Sequence, residues 1–553
     1  MKFDRSERAQ DFGLLPPEIW MNSKLKVVTP PAAQFGQMRF EHLTAKERID
    51  STHTEELVIA LCGPLGSPMN DVARKLEQVL RDVFDYETVV LRVDQYVQDF
   101  ATRQGQALPQ RPAERRSALI EYGSLMRTEF GVSVLAELAV NHIRYGRGRT
   151  AIANGSHEAG ARRICHIIDS IKSPQELDLL RTVYRELLYV IGVHSPLSDR
   201  EVMLKAEGLE ISDIAALMDR ESGEEVAVGQ SVEQTFSRCD FFLRMDSYTE
   251  SQLRTRVERF LHLVLGSRVI TPTRSETAMY AAASAAGNSA CLSRQVGAAV
   301  TDESGEVLAI GWNDVPRPFG DLYVTDLASD PSGERDKRCW NFGEKCHNDE
   351  EKSLFAAHVV DALAPLIKDG EHRRATEVVA KNKKLRGLVE FSRAIHAEMH
   401  ALLTALRQTG ERVLGGSIFV TTYPCHACAR HLVAAGIRQI HFIEPYKKSL
   451  AIKLHADALT ESDQPGRVKL IPYDGVAPAR YLSLFKMAPD SRKRAGKLLQ
   501  IPSGAATPKL EKSLAALPVL ESLVIESLRE RSLIADDESK LPHTNGVAEH
   551  EAT

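Results

Sequence analysis

A histidine and a glutamate two positions apart, His396-Ala397-Glu398, precede a proline and two spaced cysteines, Pro424-Cys425-His426-Ala427-Cys428. No other feature constrains the fold of this chain as tightly. A catalytic zinc takes three protein ligands and keeps a fourth position for water. His396, Cys425 and Cys428 supply that number, so the fold must bring the two segments together across a helix, a turn and a strand. Cys425 and Cys428 are i and i+3 and share one face of a helix. Pro424 suits the first helical position, where no N–H is needed. Two thiolates there gain from the positive end of the helix dipole. Glu398 stands outside the ligand set, as the group that carries protons. The alternative is a closed structural site with His400 or His426 as fourth ligand. It leaves Glu398 and Pro424 without a role.

Composition bounds the rest. A chain of 553 residues exceeds one ordinary domain, and a net charge of −5 gives no electrostatic footprint for nucleic acid. Apolar runs such as Leu57 to Cys62 are too short to span a membrane. The first residues, MKFDRSERAQDFG, lack the apolar core of a signal peptide. Eight cysteines in so long a chain do not read as a disulfide framework, and a reducing cytoplasm is the expected location.

Residues 1–50 read as an irregular lead-in. From 51 to 268, short apolar runs alternate with helical spacing. Strands are expected at 56–62, 88–93, 149–153, 163–168, 186–193 and 240–243, and a helix at 71–84. Such alternation argues for a parallel sheet with helices on both faces. The first strand runs into Gly63-Pro64-Leu65-Gly66-Ser67-Pro68. A loop between strand and helix is where phosphate binds, and Gly63, Gly66 and Ser67 are its candidate nucleotide contacts. The lysine of GxxxxGK[ST] is missing, so a sensing scaffold is favoured over phosphoryl transfer.

A boundary near 269–273 opens a second part, 269–487. It should contain a helix over 276–287, a hairpin of 295–301 and 306–312, and a long insertion at about 314–388. The insertion is too long for a plain loop, and a helix is expected within it at 353–367. After it come a helix at 395–406, a strand at 416–422, a helix at 425–435 and a strand at 439–443. Residues 488–553 read as a polar, largely disordered tail with one candidate helix at 510–528. Cys339, Cys346 and His347 form a second cluster, a candidate structural zinc site that would staple the insertion. Cys62, Cys165, Cys239 and Cys291 lie in or beside apolar stretches and read as core thiols.

The order H-x-E then P-C-x-x-C resembles the zinc-dependent base deaminases. With Ser293-Arg294-Gln295-Val296-Gly297-Ala298 and Ile310-Gly311-Trp312-Asn313, residues 272–486 resemble the deoxycytidylate deaminase branch of the cytidine deaminase superfamily. The segment around Gly63 resembles the core of P-loop kinases, and the two parts together resemble the bacterial anti-phage dCTP/dCMP deaminases. The resemblance implies an α/β chain. Its N-terminal part is a P-loop kinase-like parallel sheet with helices on both faces, and its C-terminal part a three-layer α/β/α cytidine-deaminase domain. It implies zinc, conversion of dCTP, dCMP or both to the uracil forms, and starvation of phage replication. Asn313 is expected to contact the sugar, Arg294 a phosphate or an anchoring acid, and Tyr446, with Lys447, to close over the substrate. A regulatory nucleotide, RNA or protein inhibitor, and a homo-oligomer, are the expected partners; a membrane is not. Rival readings are a housekeeping dCMP deaminase supplying dTTP, a deaminase of bases in nucleic acid, and a regulatory nucleotide-sensing protein. The acidic balance and sparse aromatics weigh against the nucleic-acid reading.

Overall fold

The computed structural model describes residues 53–534, apart from 154–162, 222–230, 247, 389, 446–448, 488–490 and 511–516. The first apolar run becomes β1 (Leu57–Cys62), buried at all six positions. It is followed by a helix at Met69–Phe84, β2 (Glu87–Leu91), β3 (Ile164–Ile168), β4 (Leu188–His194) and β5 (Phe241–Arg244). A strand buried on both faces needs a continuous apolar sequence rather than an alternating one, and β1, β3 and β4 have it. The expected strand at 149–153 is instead the end of a helix, Val134–Ala153. Its β-branched Thr150 and Ile152 suggest a strand locally, but the apolar spacing from Val134 onward carries the helix through them.

The second part forms β6 (Gly297–Thr301), β7 (Val307–Trp312), β8 (Ser417–Thr422), β9 (Gln439–Glu444), β10 (Leu459–Thr460) and β11 (Val468–Pro472). Its sheet runs β10-β11-β9-β8-β6-β7, with β6 antiparallel to both neighbours and β8, β9, β11 and β10 parallel. One face carries the helices Ala397–Thr409 and His426–Ala434 over a core of Ala298, Val300, Ile418 and Val420. The opposite face is covered by the helix Arg274–Ala286 and by Phe236 and Phe242 of the N-terminal part, in one continuous core with Phe419 and Ile443.

The two parts are interlocked. The strand after these, β12 (Gly475–Val476), leaves the second sheet and pairs antiparallel with Phe241–Phe242. The first sheet therefore reads β12-β5-β4-β1-β3-β2. Glu276 pins this junction. Its carboxylate accepts from Arg259 (2.9 and 2.7 Å), from the amide of Thr273 (2.7 Å) and from the amide of Val476 (2.9 Å).

The candidate helix of the tail is present. The helix Leu517–Glu530 packs on Val134–Ala153, and Leu528 is fully buried between them. Burying such a side chain is worth about 1.5–3 kcal/mol, enough to order a segment that composition alone marks as loose. Glu521, also fully buried, accepts from Arg147 at 2.6 Å. In the insertion the helix is His347–Ala362, earlier than expected, because Pro365 cannot continue it and only a short 3-10 turn, Ala364–Leu366, follows. No helix among the described residues is long and apolar enough to cross a membrane.

Candidate metal and catalytic site

Both halves of the motif sit at helix N-termini on the same edge of the second sheet. His396 is the N-cap of Ala397–Thr409, and Cys425 the N-cap of His426–Ala434. Pro424 thus stands one residue before the cap and not at the first helical position; its carbonyl accepts from Ser449 Oγ at 2.8 Å. The Cys425 sulfur accepts from the Cys428 amide at 3.4 Å. His396 Nδ1 lies 3.4 Å from Cys425 Sγ and 3.3 Å from Cys428 Sγ. Among the described residues these three form the one group of His, Cys, Asp and Glu whose donor atoms gather within 4.8 Å.

The trio fits zinc. Zinc–sulfur and zinc–nitrogen bonds of about 2.3 and 2.0 Å set the N···S edge of a tetrahedron at ~3.5 Å, close to the spacing found. The donor set, one imidazole and two thiols, is the one that metal prefers. The three groups balance charge among themselves. The hydrogen bond from Cys428 holds the Cys425 thiol down to about 3. Its own bond to Cys425 raises His396 to about 9. Its hydrogen bond to Cys425, together with burial, pushes Cys428 well above the ordinary thiol range. A dication replaces this arrangement with two thiolates and a neutral imidazole.

Glu398 lies on the first turn of the His396 helix, 3% exposed and outside the donor group. Burial raises its carboxyl, and its side chain bonds that of Cys428. His400 is not a fourth ligand here. Its Nδ1 accepts from the Trp312 amide at 3.2 Å, and its Nε2 faces Asp321 at 3.5 Å. The sheet holds this helix closely: a Cβ on Gly311 would stand 2.3 Å from the amide nitrogen of Ala401.

The remaining candidates are placed unevenly. The Asn313 amide is engaged by backbone: its oxygen accepts from Val296 N at 2.7 Å and its nitrogen donates to Arg294 O at 2.8 Å. It fixes the segment leading into β6. Arg294 is ion-paired with Glu444 at the end of β9. Tyr446 and Lys447 lie outside the described residues. Cys339, Cys346 and His347 line one small pocket together with Cys291, which is half-buried there and not a core thiol. Their donor atoms do not close into a metal-holding group among the described residues. Cys339 lies in an irregular stretch, whereas Cys346 caps the helix that His347 opens. Cys62, Cys165 and Cys239 are buried as expected.

After β1, the Gly63 loop bonds to itself. The Ser67 amide donates to Pro64 O at 3.0 Å and the Met69 amide to Ser67 O at 2.8 Å. Gly66, at φ +82°, faces Arg200, whose carbonyl a Cβ would meet at 2.9 Å. Gly63 is buried, Gly66 and Ser67 are half-buried, and Arg200 Nη1 donates to Leu65 O at 3.3 Å.

Sequence reasoning missed Asp314 and Arg338. Asp314, 1% exposed, accepts from the amides of Ala290 and Val315 at 2.9 and 2.8 Å. The available signal was an acid directly after the hairpin and an Asp-Lys-Arg run in the insertion.

Comparison with known proteins fits this geometry. Residues 272–444 match the cytidine and deoxycytidylate deaminase zinc-binding region. This deaminase region, less than half of the chain, contains every residue of the donor trio and Glu398. Over 167 residues the chain is 27% identical to the deoxycytidylate deaminase of Enterobacteria phage T4, covering 29% of this chain and 72% of that protein. It is 41% identical over 56 residues to ComE operon protein 2 of Bacillus subtilis (strain 168), covering 10% of this chain and 29% of that one. The apo crystal structure of dCMP deaminase from cyanophage S-TIM5 aligns at 18% identity over 37% of this chain and 100% of that chain, with a TM-score of 0.21.

Proposed function

We propose that the chain is a zinc-dependent hydrolytic deaminase of deoxycytidine nucleotides, turning dCMP, dCTP or both into the uracil forms with release of ammonia. The observation that carries this reading is Glu398: a buried carboxyl set beside the His396, Cys425 and Cys428 donors yet outside them. A closed structural site has no use for such a group.

His396, Cys425 and Cys428 would hold the metal. Zinc bound there supplies Lewis acidity that makes hydroxide available near neutrality. Glu398 takes a proton from the attacking water and passes it to N3 of the cytosine ring as oxygen adds at C4. The same carboxylate then takes the proton of the new C4 hydroxyl and delivers it to the amino group, so that C4=O forms as the C4–N bond breaks and ammonia leaves. The raised affinity of Glu398 for protons suits both transfers. Asn313 keeps the segment before β6 in place, and Arg294 is tied to Glu444, so that segment reaches the site pre-organised.

The pairing of this site with the sheet behind the Gly63 loop supports the further step: depletion of dCTP as defence against phage. A regulatory nucleotide, RNA or protein inhibitor acting on the N-terminal part, and a homo-oligomeric assembly, belong to the same proposal.

The test is direct. The purified chain is incubated with dCTP, dCMP, CTP, deoxycytidine and a cytosine oligonucleotide, and ammonia and uracil products are followed. Turnover of the free deoxynucleotides that disappears in Glu398→Ala is the expected result. Turnover of the oligonucleotide alone would overturn the substrate class, and turnover surviving Glu398→Ala would overturn the mechanism.

A further inference from the structure

A buried cluster of charges ties the long insertion after β7 to the catalytic part. Arg338, 5% exposed, forks onto Asp336, with Nε 2.9 Å and Nη2 2.6 Å from Oδ2. Nη2 also donates to Thr325 Oγ1 at 2.9 Å. Its remaining nitrogen, Nη1, lies 3.8 Å from Asp314 Oδ2. That oxygen is the one accepting from the Ala290 amide.

Asp314 stands where three catalytic segments meet. It directly follows Asn313, whose amide holds Arg294 and Val296. Its carboxylate fixes Ala290, in the turn that leads toward Arg294. Its carbonyl accepts from the Ile395 amide at 3.0 Å, one residue before His396. The Asn313 carbonyl accepts from Ser289 Oγ at 2.6 Å and braces the same turn from the other side. A buried carboxylate without a counter-charge is costly, and the cation facing Asp314 comes from the insertion.

We infer that Arg338 is a positioning residue for the deamination reaction: from the insertion it acts through Asp314 to hold the 289–296 segment and the start of the His396 helix in register. The inference rests on the proposed deaminase activity and adds to it a job for the insertion. It does not place Arg338 against substrate.

The two residues are tested in a mutant cycle on the full chain, with dCMP as substrate. Arg338→Met is expected to raise KM about tenfold while kcat changes less than threefold. Arg338→Lys restores charge without the fork and recovers part of the loss. Because Arg338 works through Asp314, Arg338→Met added to Asp314→Asn should cost no more than Asp314→Asn alone. Effects that multiply would overturn the inference, as would an unchanged KM in Arg338→Met. Hydrogen exchange gives an activity-independent reading: the peptide covering 287–296 should exchange faster in Arg338→Met, with zinc content unchanged. Equal exchange would also overturn it. Should Arg338→Met fail to fold, Asp336→Asn, which frees one arm of the fork, is read in the same two ways. A wild-type chain inactive on every deoxycytidine nucleotide would sink the functional reading, and the exchange measurement would still decide the role of Arg338.

Discussion

Arg259 donates two hydrogen bonds to Glu276, across the seam between the first sheet's last helix and the first helix of the deaminase region. The glutamate side chain is fully buried and the arginine a quarter exposed. Breaking a buried pair by removing one partner costs about 3–5 kcal/mol. Glu276→Ala should therefore lower the urea midpoint of the whole chain, and should also split one unfolding transition into two as Val476 loses its acceptor. A single transition with an unshifted midpoint would show that the seam is held elsewhere.

Glu398→Gln keeps shape and removes the proton carrier. Deamination should fall by about 10²–10⁴, the usual contribution of general acid–base catalysis. Zinc content, measured by metal analysis, should stay at the wild-type level, whereas Cys425→Ser should lose metal and activity together.

Stripping zinc with a chelator should abolish turnover and return it on adding the metal. The first sheet owes nothing to the donor trio, so far-ultraviolet circular dichroism should change little. A collapse of the whole signal would mean that the metal also supports the seam.

Gly311 allows β7 to lie directly against the helix that carries Glu398. Gly311→Ala must push that helix outward, and misplacement of a catalytic group by about 1 Å costs on the order of a hundredfold. The expected result is a drop in kcat of at least about tenfold with the metal retained.

Asp169, at the end of β3, is held up to about 6 by burial, against the Val93 amide that donates to it at 2.9 Å. In the unfolded chain a carboxyl of this kind titrates near ~3.9. The folded state therefore binds the proton more tightly, and stability falls as pH rises from about 4 through 6, with the full cost present above that window. Asp169→Asn keeps an acceptor for Val93 and removes the titration. It should be about 2 kcal/mol more stable than wild type at about pH 8 and level with it near pH 3.5, by urea unfolding.

The donor trio and its acid were legible because chemistry fixes residue types and spacing tightly. His396, Cys425 and Cys428 meet as the pattern requires. Strands β1, β3 and β4 were legible because burial on both faces leaves an unbroken apolar run. The helix ending at Ala153 was misread because a five-residue window cannot show the period set up from Val134. The tail helix was expected, but its packing was not, because its partner, Val134–Ala153, lies far away in sequence. Asp314 and Arg338 escaped notice for a similar reason: their importance lies in where the chain folds them, and neither residue type announces it.

Because Gly475–Val476 completes the edge of a sheet whose other strands end at Arg244, the N-terminal half cannot finish folding on the ribosome by itself. Its edge beside Phe241 stays unpaired until the entire deaminase region has been synthesised. An incomplete or nicked chain thus exposes an open strand edge.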